Sequence, residues 1–125
     1  LHLSLRRQRQ MCIRDRPMFE HYAGQFGARE ARVDGIWFAQ YKYDAEFKWH
    51  THEGCNTSAI YFMETPNPED ITEFYGIDMP NMKEGDVALF PSMIPHRSRL
   101  DKNRETRKTV VGFNINICNV KSEMT

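Results

Sequence analysis

The stretch from Trp37 to His52, WFAQYKYDAEFKWHTH, decides the fold class because apolar and polar side chains alternate along it. Odd positions from Trp37 to Trp49 carry aromatic residues or alanine, and even positions from Gln40 to Lys48 are polar. A period of two residues is typical of a β-strand with one buried face. Thirteen such residues exceed the length of most strands, so we expect a break within YDAEF to divide them.

Strand patterns continue to the end of the chain. The clearest are Thr57–Glu64, rich in β-branched and aromatic residues, the VALF run before Pro91, and RKTVVGFNINICNV from Arg107. Weaker patterns lie in ITEFYGI and in Ile94–Leu100, and a short helix is predicted within residues 17–33. Many short strands at close spacing favour an all-β barrel or sandwich, so we predict a mainly β fold with little helix.

Length and composition narrow the class of protein. A chain of 125 residues is the size of one domain, and no apolar run approaches the roughly 20 residues that cross a bilayer. The formal net charge of zero gives no basic surface for nucleic acid. Three cysteines, an odd number, suit a reducing compartment, so we expect a cytoplasmic protein. We expect no nucleic-acid or membrane partner, and a homo-oligomer stays open.

The first sixteen residues differ from the rest. They carry five arginines and one aspartate, whereas the remaining chain carries 12 basic and 16 acidic side chains. A basic arm for nucleic acid or a membrane is one interpretation. We favour another, in which RQRQMCIRDR is adapter-derived sequence, and we treat residues 1–16 as non-native or disordered. We also expect the chain to be a fragment that lacks N-terminal sequence.

Three histidines form the candidate metal site. His50 and His52 stand two residues apart, so in a strand both imidazoles point to the same face. His96 closes the run GDVALFPSMIPH about 45 residues later, after a predicted turn at Gly85 and a strand end at Pro91. Imidazole is the commonest transition-metal ligand among side chains. An H-x-H pair alone, or a single histidine after a proline, more often has a structural role. It is the order of the two along the chain that favours a metal site.

An arginine opens the last predicted strand. Arg107 shares its parity with Thr109 and with apolar residues further along, so we expect this face to point inward. A guanidinium beside a hydroxyl suits a planar carboxylate, which it grips through two hydrogen bonds. The alternative is an ordinary ion pair with a nearby acid such as Glu105. Lys108 lies on the other, more polar face of the same strand.

The residues from Trp37 to Asn116 resemble a known family. The stretches WHTHEG, SAIYFME, GDVALFPSMIPH and RKTVVGFNINI occur in the order found in the double-stranded β-helix core of Fe(II)- and 2-oxoglutarate-dependent oxygenases. The resemblance is strongest to compact oxygenases of phage and marine bacterial sequences, and it covers about 80 of 125 residues. It implies a jelly-roll or cupin-like barrel over residues 37–120, preceded by an N-terminal flank of residues 17–36.

The resemblance also implies ligands for Fe(II). His50 corresponds to the first ligand and His96 to the last. The family normally places a carboxylate two residues after the first histidine, where this chain has His52. Glu53 is adjacent but reaches the metal only through a bulge, so we favour His52. In an unbroken strand, His50 and His52 would share the solvent face of Lys48, and the metal site therefore requires the break predicted within YDAEF.

For the cosubstrate, the resemblance assigns Arg107 to the distal carboxylate of 2-oxoglutarate, with Thr109 and Tyr61 beside it. Lys108 takes that place if the strand register differs by one residue. The implied activity is hydroxylase-type oxidation of an unknown small molecule or side chain, coupled to decarboxylation of 2-oxoglutarate to succinate. Two alternatives stay open: a cupin-type metalloenzyme that does not use 2-oxoglutarate, and a non-catalytic metal- or ligand-binding barrel.

Overall fold

The computed structural model describes residues 16–41, 47–65, 72–79, 82–98 and 107–118. These residues form one helix and seven strands in two sheets. The helix α1 spans residues 16–25, and the strands are β1 (Glu30–Tyr41), β2 (Phe47–His50), β3 (Thr57–Glu64), β4 (Thr72–Phe74), β5 (Val87–Pro91), β6 (His96–Ser98) and β7 (Lys108–Cys118).

The order of the strands identifies the architecture. The larger sheet has the order β1-β7-β3-β5 and the smaller sheet β2-β6-β4, and every neighbouring pair is antiparallel. Successive strands therefore alternate between the two sheets throughout the described part of the chain. This alternation is that of a double-stranded β-helix, the jelly-roll arrangement of cupins. The predicted fold class, mainly β with little helix, is confirmed.

Strand bounds follow the sequence pattern closely in the centre of the chain and less closely at its start. β3 coincides with the predicted Thr57–Glu64. β1 begins at Glu30 rather than Trp37, because Ala31 and Val33 pack into the core while the charged residues that alternate with them are exposed. Residues 42–46, where the sequence predicts a break, lie outside the described residues. β1 and β2 nevertheless belong to different sheets, as such a break requires.

The helix α1 covers one face of the larger sheet. Pro17 lies in its first turn, where a missing backbone N–H removes no helical hydrogen bond. Gly27, with a φ of 71°, follows its end, and the Ala28 N–H returns to the Ala23 carbonyl at 3.0 Å. Within the described ranges, no helix is long and apolar enough to cross a membrane. Of residues 1–16 only Arg16 is described, so the non-native or disordered segment stays a prediction.

The larger sheet is covered on both faces. On its outer face, Phe19 of α1 packs edge-on against Phe113 with ring centroids 5.3 Å apart, beside Val111. On its inner face, Phe90 meets Phe74 of the smaller sheet with ring centroids 4.7 Å apart. Odd-numbered residues in the first half of β7 therefore lie on the helix side, and the even-numbered residues face the barrel interior.

Candidate metal centre

The three predicted histidines lie together at the ends of two paired strands. His50 is the last residue of β2 and pairs in register with His96, the first residue of β6. His52 follows β2 and is held by a hydrogen bond from its backbone N–H to the Ser92 carbonyl at 3.1 Å. One potential ligand nitrogen from each ring lies within 4.8 Å of those of the other two. Glu53, the alternative second ligand, is exposed and not part of this cluster.

The spacing of two of the nitrogens, those of His52 and His96, fits ligands of a single transition-metal ion. The Nε2 atoms of His52 and His96 are 3.2 Å apart, and the ring centroids of His50 and His96 are 4.2 Å apart. Two imidazole nitrogens that each bind one ion at about 2.0–2.1 Å, at an angle of about 90–110°, lie about 2.9–3.4 Å from each other. The 3.2 Å separation falls inside this interval. Without a metal, the same distance fits a hydrogen bond between one protonated and one free Nε2.

Backbone carbonyls fix the orientation of two of the rings. His50 Nδ1 donates to the Lys48 carbonyl at 2.7 Å, and His96 Nδ1 donates to the Ile94 carbonyl at 3.0 Å. A carbonyl oxygen only accepts, so both Nδ1 atoms carry the proton. In the neutral ring, Nε2 then keeps a lone pair for a metal. Histidine ligands of metals commonly have this support on the second nitrogen.

Burial favours the neutral form of two of the histidines. Burial lowers the pKa of His96 to about 4, opposed by the hydrogen bond to Ile94 and assisted by repulsion from His50 and His52. Burial, followed by the proximity of His50, also lowers the pKa of His52. Both rings are therefore neutral at neutral pH, which is the form that binds a metal.

The metal-free protein should lose stability as the pH falls from about 6.5 to about 4. Because the pKa of His96 is lower in the folded than in the unfolded chain, the unfolded chain takes up a proton first in this interval. The free energy of unfolding should fall by about 2–3 kcal/mol, as measured by urea unfolding of the chelator-treated protein. His96→Asn should flatten this dependence, and an unchanged slope in that variant would contradict the assignment.

The histidine cluster opens into the interior of the barrel. A cavity of about 460 Å³ is bounded by the three histidines and by inner-face residues of both sheets. Trp37 of β1 lines it and stacks on His52, with ring centroids 5.2 Å apart and an interplanar angle of 30°. This is the size of a pocket for a small molecule.

A buried cation lies in the same interior. Lys108 is completely buried, and its Nζ lies 3.0 Å from Ser98 Oγ and 3.4 Å from Thr72 Oγ1. Ser98 and Thr72 line the cavity, as does Tyr41, whose pKa is raised by burial. The ammonium group therefore stands directly behind the cavity wall formed by β4 and β6. A desolvated ammonium beside hydroxyl groups is suited to an anionic ligand.

The three residues predicted for the cosubstrate are not brought to this cavity. Arg107 is exposed, and its guanidinium donates to both carboxylate oxygens of Glu64, at 2.7 and 2.9 Å. Thr109 Oγ1 donates to the same carboxylate at 3.0 Å, and Tyr61 packs against the outer core cluster. The face that Arg107 shares with Val111 and Phe113 is buried, as predicted from its apolar residues, but it is turned toward α1 and not toward the cavity. The physical reason is α1, which buries the apolar face of β7 from the outside. Glu105, the predicted ion-pair partner, lies outside the described residues.

The cavity lining includes four residues of the larger sheet that were not anticipated from the sequence. They share the inner face of the larger sheet, and they are Trp37, Ser58, Gly112 and Asn114. The available signal was the even-numbered face of the last strand, which carries a lysine, a glycine and two asparagines within a strand that is otherwise largely apolar. Polar or glycine positions on a buried strand often mark a ligand or a close approach.

No protein-family model matches the chain, and no curated protein sequence is significantly similar to it. Two solved structures are similar to it. The crystal structure of protein NMB1881 from Neisseria meningitidis is 21% identical, covers 79% of this chain and 94% of that chain, and has a TM-score of 0.43. A cupin-2 domain containing protein from Shewanella frigidimarina is 17% identical, covers 78% and 92%, and has a TM-score of 0.42. The strand order and the three histidines of the chain itself identify a cupin-like barrel with a candidate three-histidine metal site.

Proposed function

We propose that the chain is an Fe(II)-dependent oxygenase that uses 2-oxoglutarate and holds its distal carboxylate with Lys108. The supporting observation is that three imidazoles line a cavity whose wall also contacts a buried ammonium group. Lys108 is the residue that the sequence resemblance leaves as the alternative to Arg107. Neutral imidazole nitrogens suit Fe(II), together with other first-row metals.

The residues that line the cavity, and Lys108 behind its wall, then have distinct tasks. His50, His52 and His96 hold the metal, each through one ring nitrogen. Lys108 binds the far carboxylate, and the hydroxyl of Ser98 orients its ammonium group. Bound Fe(II) and 2-oxoglutarate supply the oxidation of a substrate C–H group, coupled to the release of succinate and carbon dioxide. The barrel contributes the geometry of the site and a cavity of about 460 Å³ beside the three histidines.

A second candidate is a cupin-type metalloenzyme that does not use 2-oxoglutarate. Two observations favour it. Among the described residues the cluster contains three histidines and no carboxylate, whereas the oxygenase family normally includes a carboxylate. In addition, Arg107, the usual type of anchor for the cosubstrate, is engaged by Glu64 on the outer face. In this case Lys108 binds an acid group of a different substrate.

The test is an anaerobic titration of the metal-free protein with Fe(II) and then with 2-oxoglutarate. We expect one Fe(II) per chain, and a weak visible absorption band when 2-oxoglutarate chelates the metal. When oxygen is admitted, 2-oxoglutarate should be converted to succinate, slowly even without substrate. Formation of succinate separates the first candidate from the second.

The matched control is His96→Ala, checked for folding by circular dichroism. It removes a buried nitrogen of the cluster and should abolish specific Fe(II) binding and succinate formation. Stoichiometric Fe(II) binding by this variant would overturn the metal site. Stoichiometric Fe(II) binding by the wild-type chain, without the absorption band or succinate, would favour the second candidate.

A further inference from the structure

We infer that the cavity has a second polar end, at Ser58 and Asn114, that binds an amide group of the substrate. Ser58 in β3 and Asn114 in β7 are directly opposite each other in the strand ladder. Opposed residues in antiparallel strands project to the same face, with Cβ atoms about 5 Å apart. Both residues line the cavity. The two polar side chains therefore form a pair on its wall.

Each member of this pair has a buried polar atom that finds no hydrogen-bond partner among the described residues. Ser58 is 1% exposed, and its Oγ has no hydrogen-bond partner among the described residues. The same is true of Asn114 Oδ1. Thr65 Oγ1 is the remaining such atom in the described ranges, and Thr65 does not line the cavity. Buried polar atoms without partners are rare in folded proteins, and a ligand that completes their hydrogen bonds accounts for this pair.

The chemistry of the two atoms selects the ligand. Asn114 Oδ1 only accepts a hydrogen bond, whereas Ser58 Oγ both donates and accepts. An amide satisfies both at once, because its N–H donates to Asn114 and its carbonyl accepts from Ser58. A carboxylate offers no donor to Asn114. No Asp, Glu, Lys or Arg is among the described residues that line the cavity, and the ammonium group of Lys108 contacts the wall at Thr72 and Ser98, away from Ser58 and Asn114. The Ser58–Asn114 end therefore has no partner for a charged substrate group among the described residues.

The position of the pair is compatible with a substrate that lies over the metal site. Asn114 follows Gly112 on the inner face of β7, and the Gly112 position lies against Trp37, which stacks on His52. Lys108 is six residues from Asn114, about 20 Å along a strand. The cosubstrate carboxylate and the substrate amide thus occupy opposite ends of one strand face. The inference depends on the proposed function only in naming the amide compound a substrate.

Binding of a simple probe tests the inference without iron or 2-oxoglutarate. The metal-free full chain is titrated with propionamide and, separately, with propionate, and the side-chain amide resonances of Asn114 are followed by NMR. Propionamide should shift these resonances and saturate, and propionate should bind at least about tenfold more weakly. Asn114→Ala and Ser58→Ala should each weaken propionamide binding by about tenfold. Equal binding of the two probes would overturn the inference.

Stability measurements separate a binding role from a structural role. Because Ser58 Oγ has no hydrogen-bond partner within the described part of the chain, Ser58→Ala removes no hydrogen bond seen there, and the melting temperature of the variant should be unchanged or higher. A variant that is at least as stable and yet binds propionamide more weakly supports a ligand subsite. A lower melting temperature with unchanged propionamide affinity would show that the hydroxyl is structural and would overturn the inference. Failure of the chain to bind Fe(II) or 2-oxoglutarate would contradict the proposed function, whereas the propionamide measurements would still test the amide site.

Discussion

Replacement of Lys108 by methionine should weaken the binding of 2-oxoglutarate by about 100-fold or more, with the affinity for Fe(II) unchanged. A desolvated charge that loses its partner costs about 2–5 kcal/mol, because the remaining charge stays buried and unpaired. Lys108 is completely buried, and methionine is similar in length, so the cavity keeps its lining. The three clustered histidines are untouched by the change. The amplitude of the visible band, titrated anaerobically with 2-oxoglutarate, measures the loss.

Arg107 provides a matched control at the adjacent position. Its side chain is 52% exposed and is held by Glu64 on the outer face of the sheet. Arg107→Met should therefore leave the affinities for Fe(II) and 2-oxoglutarate unchanged. Circular dichroism establishes that both variants fold. Suppose instead that Arg107→Met binds 2-oxoglutarate weakly and Lys108→Met binds it normally. Arg107 would then be the residue that binds the distal carboxylate, and the assignment of Lys108 to the cavity side of β7 would be contradicted.

The strands could be predicted from local residue preferences, and the histidine cluster could be predicted from the order of those strands. β3 has β-branched and aromatic residues along its length, so its bounds are set by local preference and burial. The register pairing of His50 with His96 follows from the jelly-roll order, in which β6 returns beside β2. Once the fold class is known, the H-x-H pair and the histidine that follows the strand-ending proline can therefore be predicted to lie close together.

Which face of β7 is turned toward the cavity could not be predicted in the same way. The rule that apolar residues point inward assumes that only one face of a sheet is covered. In this chain α1 packs against Phe113 from outside, while Lys108 and Asn114 occupy the interior because the interior is a cavity. Polar residues inside a barrel violate the usual pattern where a ligand is expected. A sequence pattern on one strand contains no information about a helix that covers it.

Gly112→Ala should lower both metal affinity and stability, although the residue binds nothing itself. A Cβ at this position would overlap three atoms of the Trp37 indole, and Gly112 is not among the glycines with positive φ, so the cost comes from this contact. Displacement of Trp37 moves His52, whose Nε2 lies 3.2 Å from that of His96. We expect a loss of about 1–3 kcal/mol in the free energy of unfolding. Affinity for Fe(II), measured by competition with a chelator, should fall by about 10–100-fold.

Gly35 is the matched control for this substitution. It lies on β1, opposite Asn114 in the ladder, and a Cβ there would meet the Asn114 Cβ at 3.6 Å, which is ordinary van der Waals contact. Gly35→Ala should therefore change neither stability nor metal affinity appreciably. A loss comparable to that of Gly112→Ala would indicate that any added methyl group disturbs the sheet.

A double variant tests whether Gly112 acts through the indole. Trp37→Leu removes the stack on His52 and should lower Fe(II) affinity by itself. In that background Gly112→Ala should cost little more, because the added methyl group no longer meets an indole. Residues that share one contact give non-additive losses, whereas independent sites give additive ones. If the two losses add, the indole does not connect Gly112 to the metal site. The position of the His52 ring would then depend on the hydrogen bond from the His52 backbone N–H to the Ser92 carbonyl.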